Sequence, residues 1–339
     1  MVMLNRFCRD LDPVHCVMTS PPYWKKRKYG DASAEIGWEV DVESYVDELT
    51  LLFASINLHP LGSIWVNIGD KREKGRLLQI PQRFSLAMIK RGFLLIDEVI
   101  WCKVIDEEDG STDGNCMVEP APRRLNGNGF ENLYHFTRSL DAWSDTCAVR
   151  IPREGQRTIR YLPTSLMSTE TCVEGRNLHN VWRVSAPRRS DRHFAQYPPA
   201  LCERPIAMSC PMWVNPDGSL RERLVDMVAY DEGKRGKRVF GKYSSGTTET
   251  SGRQDCGKGY VAKKPVTTGW SQLQDGWTPG VVLDPFCGTC STGEAAIKLG
   301  RKFIGIDLYP SYCTIAKKRC GDAVEYLQEN NLDPTKEAR

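Results

Sequence analysis

The sequence predicts an α/β protein built on a doubly wound, mostly parallel sheet, and three observations carry that expectation. Between Val14 and Trp101 short apolar runs alternate with stretches of helical period. Between Val281 and Glu329 the alternation returns as a βαβα unit. Two unusual loops, Thr19-Ser20-Pro21-Pro22-Tyr23-Trp24 and Asp284-Pro285-Phe286-Cys287-Gly288-Thr289, each follow one of these runs. Loops at the carboxyl ends of strands are where open α/β sheets keep their ligands.

Taken in order, Val14 to Met18 reads as a short buried strand. From Asp41 to Leu58 apolar residues recur at helical spacing (Val42, Tyr45, Val46, Leu49, Leu52, Phe53, Ile56), and Pro60 and Gly62 stop that helix. Ser63 to Ile68 reads as the next strand, Pro81 to Lys90 as a helix ended by Arg91-Gly92, and Phe93 to Trp101 as a further strand. The chain from Cys102 to Asn128 is acidic, then rich in Gly and Pro, and reads mostly as loop; Glu131 to Thr137 forms another strand. No sustained period marks residues 138–192, where Arg and aromatic residues mingle. The polar segment 211–280 reads as an insertion, with Ser244 to Gly259 its best candidate for disorder. A strand ending at Asp284, a helix from Ser291 to Leu299, a strand from Lys302 to Ile306 and a helix from Ser311 to Glu329 close the order.

The composition, 40% hydrophobic and 26% charged over 339 residues, is that of a soluble globular chain. No apolar run approaches the roughly 20 residues of a membrane span. The N-terminus lacks a charged-then-apolar secretory pattern, so a cytoplasmic protein is expected. Thirteen scattered cysteines then read as reduced, partly buried thiols. The net charge of +3 says little, but Lys25-Lys26-Arg27-Lys28, Arg188-Arg189 with Arg192, and Lys234-Arg235 with Lys237-Arg238 form compact basic clusters able to track phosphates. Any one cluster alone fits a solvated loop equally well. The first abuts the proline pair.

The two loops suit complementary tasks. Gly288 lets backbone approach a ligand at a helix start, and an acidic residue about 20 positions on, here Asp307, is the usual device for gripping ribose hydroxyls. Pro21 and Pro22 fix the backbone and remove donors, leaving carbonyls free to accept. The Ser20 hydroxyl beside such a carbonyl can hold an exocyclic amine, and Tyr23 offers a stacking face to a base that has left its duplex.

With these residues the chain resembles the permuted beta class of S-adenosylmethionine-dependent DNA amino-methyltransferases. There a (Asp/Asn/Ser)-Pro-Pro-(Tyr/Phe) motif precedes Asp-Pro-Phe-x-Gly-Ser-Gly. The resemblance implies a Rossmann-like sheet in permuted order, S-adenosyl-L-methionine as cofactor, double-stranded DNA as substrate, and a cognate restriction endonuclease as a candidate partner. It implies a catalytic half at 1–137, a target-recognition region at 138–192, a cofactor-closing segment at 193–210, the insertion at 211–280, a cofactor-binding half at 281–330 and a tail at 331–339. Residue by residue, Ser20, Pro21, Pro22 and Tyr23 would be catalytic. Asp284, Phe286, Gly288, Ser291, Thr292 and Asp307, with His193 and Phe194, would bind the cofactor. Trp101 and Lys103 match a Trp-x-Lys motif beside the base pocket, and join Lys25, Lys26, Arg27, Arg188 and Arg189 as candidate DNA contacts. Serine heading the motif resembles the N4-cytosine enzymes, with adenine N6 the alternative. No Pro-Cys dipeptide occurs, which argues against methylation at cytosine carbon 5.

Two departures stand out. Cys290 occupies the place of a second glycine, where a side chain would crowd the methionine moiety; a catalytically silent DNA-binding relative is the rival reading. Cys210 to Gly218 resembles the start of a zinc module, but Asn215 and Asp217 stand where cysteines are expected, so no metal is implied.

Overall fold

The computed structural model describes residues 2–28, 35–107, 110–113, 129–151, 177–185, 197–229 and 263–329. Helix α1 (Val2–Asp10) leads into β1 (Val14–Thr19), followed by α2 (Val42–Ser55), β2 (Leu58–Ile68), a small hairpin β3 (Arg72–Glu73) and β4 (Arg76–Leu77), and α3 (Ile80–Lys90). Then come β5 (Leu94–Glu107), β6 (Gly110–Asp113), β7 (Phe130–Thr137), β8 (Val181–Ser185) and α4 (Pro199–Ser209). A hairpin of β9 (Arg223–Ala229) and β10 (Lys263–Trp270) precedes the final β11 (Val281–Asp284), α5 (Ser291–Lys298), β12 (Lys302–Gly305) and α6 (Pro310–Glu329).

The main sheet has the order β12-β11-β1-β2-β7-β5-β6, with β8 paired to β5. β12, β11, β1 and β2 pair in parallel. β7 runs against both β2 and β5, and β8 runs with β5. Six strands therefore point one way while β7 and β6 oppose them, in agreement with the expected mostly parallel sheet. β1 lies between β11 and β2, so both loops singled out in the sequence leave the same edge.

Alternation along the strands builds two apolar layers. Val17, Ile64, Val66 and Tyr134 pack with Tyr45 of α2 and Phe84 of α3. Met18, Trp65, Leu133 and Val282 pack on the other face with Leu201 of α4 and Ala295 of α5. α2 starts where Asp41 accepts the Ser44 N–H at 2.7 Å. The Asp70 carboxylate accepts the N–H groups of Gln79 and Ile80 at 3.1 Å each, capping α3 across a short excursion. In β2 a Cβ at Gly62 would lie 2.9 Å from the His15 carbonyl, so only glycine fits there.

Three sequence expectations change. The second helix stops at Ser55 rather than Leu58, because Leu58 pairs with Val14 and is drawn into β2. The expected loop after Cys102 begins as sheet, since β5 continues to Glu107 with β6 and β8 as partners. The polar insertion contains the β9–β10 hairpin, tied to the core where Arg223 bridges the Asp145 carboxylate at 2.9 and 2.8 Å. Asn215 and Asp217 close a turn there, each bonded to Ser219 and Gln274. Ser244 to Gly259 and the cluster from Lys234 to Arg238 lie outside the described residues.

Ser63, His135 and Asp97 form a hydrogen-bonded row, with Nε2–Oγ at 3.0 Å and Nδ1–Oδ2 at 3.1 Å. Ser63 has no exposure and His135 is stacked on Trp65 at 4.1 Å, so this row is structural. Among the described residues no helix is long and apolar enough to cross a membrane.

Candidate functional site

Two loops separated by more than 260 residues meet through one carboxylate. Thr19 Oγ1, at the end of β1, donates to Asp284 Oδ1 at 2.6 Å, and Thr292 Oγ1 in the first turn of α5 donates to Asp284 Oδ2 at 2.7 Å. The Phe286 N–H and the Tyr197 hydroxyl donate to the same carboxylate at 3.0 Å. Burial raises the Asp284 carboxyl above its usual range, and these four donors oppose the shift. Asp284 has no exposure, so it acts as a brace between β1, β11, α5 and the chain entering α4.

On the β1 side, Ser20 and Tyr23 share a pocket with Asn67 at the end of β2. The Tyr45 hydroxyl donates to the Pro22 carbonyl at 2.8 Å and pins the proline pair to α2. The Tyr23 hydroxyl donates to Glu131 Oε2 at 2.6 Å, and Ser20 Oγ stands 3.4 Å from that hydroxyl. Asn67 Nδ2 lies 2.7 Å from Glu131 Oε2 and 3.1 Å from the tyrosine oxygen. Lys103 Nζ donates to Glu131 Oε1 at 2.6 Å. Burial alone would raise the Glu131 carboxyl, but the Lys103 charge and the donated bonds outweigh it and hold the group below its usual range. Burial, together with the neighbouring Glu131 charge, pushes the Tyr23 phenol well above its own.

On the β11 side, Asp307 follows β12, and its Oδ2 accepts the Gly288 N–H at 2.8 Å. Gly288 has φ +51°, and a Cβ there would meet only the Phe286 carbonyl oxygen at 4.0 Å. The partly exposed Phe286 ring and Asp307 carboxylate beside this open glycine suit an adenosine group, ring and ribose hydroxyls respectively. Cys290 holds φ +73°, a left-handed conformation that glycine would adopt freely. Its thiol turns inward: a Cβ on Gly293 would lie 2.2 Å from it, and Cys320 Sγ is 3.2 Å away.

Several assigned roles change with this geometry. Ser291 and Thr292 are buried, and Thr292 spends its hydroxyl on Asp284 and the Met18 carbonyl, so neither is presented to a methionine carboxylate. Trp101 and Lys103 face inward rather than toward phosphates: Trp101 is 3% exposed with its N–H on the Val184 carbonyl, and Lys103 is paired with Glu131. Lys25 Nζ bonds the Val40 carbonyl at 3.1 Å and covers Trp24, while Lys26 lies over the Tyr23 ring at 5.0 Å. Arg27 is only partly exposed beside them. Arg188, Arg189, His193 and Phe194 lie outside the described residues. Glu131, Asn67 and Tyr197 were not singled out as functional by sequence reasoning. An acidic residue opening an otherwise apolar strand was the signal available for Glu131.

Comparison with known proteins agrees with this architecture. The family model described as DNA methylase matches residues 14–221 and 222–318. Type II methyltransferase M.XycI of Xanthomonas campestris pv. cyanopsidis is 27% identical over 219 residues, 56% of this chain and 63% of that protein's own length. Type II methyltransferase M.SmaI of Serratia marcescens is 22% identical over 341 residues, covering 91% of this chain and 85% of its own. A solved structure from Thermus thermophilus, described as a DNA modification methylase, shares the fold with a TM-score of 0.50 at 18% identity, over 95% of this chain and 93% of that one. With the family model spanning nearly all of the described core, the chain belongs to the N6/N4 DNA methylase family.

Proposed function

We propose that the protein transfers a methyl group from S-adenosyl-L-methionine to the exocyclic amine of a base turned out of double-stranded DNA, with cytosine N4 as the target. The observation that carries this reading is the Thr19–Asp284 hydrogen bond, which couples the Ser20–Tyr23 loop to the Asp284–Gly288 loop at one sheet edge. Phe286, Gly288 and Asp307 would hold the cofactor, whose sulfonium supplies the electrophilic methyl group. Ser20 Oγ and the Pro21 carbonyl would accept the amine's two protons, aiming the nitrogen lone pair away from them. Tyr23 would stack on the base. Positioning and polarisation of this kind, rather than a covalent intermediate, would supply the rate.

The serine heading the motif supports cytosine; the same pocket would also receive the amine of adenine. Incubating the protein with duplex DNA and methyl-labelled cofactor, then identifying nucleosides by mass, tests both readings. N4-methylcytosine is expected. N6-methyladenine would move the substrate assignment, and unlabelled DNA despite measurable cofactor binding would reject the activity.

A further inference from the structure

The carboxylate at the centre of the amine pocket belongs to neither motif, and its surroundings are more demanding than packing requires. Glu131 is 8% exposed and takes donors from three other parts of the chain: Tyr23 after β1, Asn67 at the end of β2, and Lys103 on β5. All three contacts fall between 2.6 and 2.7 Å, the range of charge-assisted bonds. It arrives there because β7 runs against β2. Its first residues therefore lie beside the carboxyl end of β2, with Asn132 opposite Ile68 and Glu131 opposite Trp101.

We infer that Glu131 is a positioning residue of the amine pocket, anchoring the Tyr23 hydroxyl and the Asn67 amide and so setting the plane on which the target base stacks. The inference rests on the amine-methylation reading above. Tyr23 meets Gly69 along one edge, where an added Cβ would lie 2.7 Å from Cε2, and Lys26 over its face. Those contacts limit the ring's position, while the hydroxyl bond fixes its tip. A phenylalanine would keep the stacking surface and lose the anchor.

The carboxylate also decides how Asn67 faces. An ionised carboxylate only accepts, so the amide must turn Nδ2 toward it. That leaves Asn67 Oδ1 buried with no hydrogen-bond partner, although the residue is 1% exposed. Buried polar atoms are rarely left so. Here Nδ2 of the same amide is 3.4 Å from Ser20 Oγ, which puts a spare acceptor in the residue that borders the amine-binding serine.

The test is methylation kinetics of duplex DNA with Glu131→Gln, Tyr23→Phe, their double variant, and Glu131→Gln combined with Lys103→Met. The last removes the ammonium that Glu131→Gln would strand, and so separates folding from function. Glu131→Gln should lower kcat about 10- to 100-fold with cofactor KM nearly unchanged, the size of one charge-assisted bond made for the reacting geometry. The Glu131→Gln/Tyr23→Phe variant should be no slower than the worse single variant, because both cut the same bond. The charge-balanced Glu131→Gln/Lys103→Met variant should stay slow while regaining stability. Multiplicative losses in the double variant, or wild-type kcat in the charge-balanced one, would overturn the inference and leave the proposed activity standing. Wild-type protein that leaves DNA unmethylated would instead overturn the activity. The anchor is then decided by NMR of 13Cζ-labelled tyrosine: a Tyr23 signal and titration unaltered by Glu131→Gln would exclude it.

Discussion

Replacing Thr19 by valine keeps the branched shape, removes one hydroxyl and cuts the bond that joins the two loops. Thr19 and Asp284 have no exposure, and the bond between them is 2.6 Å long. Taking a donor from a buried carboxylate costs about 1.5–3 kcal/mol. With an unfolding entropy of about 2.1 cal/mol/K per residue, a chain of this length should melt about 2–4 °C lower. Acidity supplies a second, sharper check. The folded carboxyl of Asp284 titrates above its ordinary range, so the folded state binds the extra proton. Stability therefore falls as pH rises from the ordinary carboxylate value through the raised one, and the penalty is fully present above both. Removing Thr19's donor raises that folded value further. The Thr19→Val deficit should be largest at neutral pH and should shrink on acidification, where the carboxyl is protonated and asks less of its donors. Scanning calorimetry on both proteins across that range measures it. A variant as stable as wild type at pH 7, or a deficit that grows in acid, would refute the brace.

Other substitutions separate chemistry from framework. Ser20→Ala should abolish most methyl transfer while calorimetric cofactor affinity stays nearly intact; an equal fall in both would remove the serine from the amine site. Gly69→Ala should displace the Tyr23 ring, because the new Cβ would lie 2.7 Å from Cε2, and should cost about tenfold or more in kcat with a normal melting temperature. Unchanged turnover would show that the ring is free to move. Asp145→Ala strands the Arg223 guanidinium in a pair whose side chains are both 5% exposed. It should destabilise the chain by about 3–5 kcal/mol in denaturant titrations, and Asp145→Ala with Arg223→Met should recover much of that.

The parallel strands, the helices between them and the meeting of the two loops were legible because each rests on local pattern. Helical period located α2 and α3, and turn residues marked their ends within a few positions. Two loops that each follow a parallel strand must emerge on the same side, so Ser20 and Asp284 could be paired across the chain before any contact was known. Thr292 shows where such reasoning stops, since spacing puts it at a helix start without revealing that its hydroxyl is turned inward onto Asp284.

What sequence alone determined, then, was the set of strands whose ends carry the chemistry. Only the tertiary structure decided what lies between them. β7 enters the sheet antiparallel, between β2 and β5, and an antiparallel strand presents its first residues where its neighbours present their last. That reversal brings Glu131 to Tyr23, Asn67 and Lys103. Strand direction is settled by pairing with distant partners, and no local period records it.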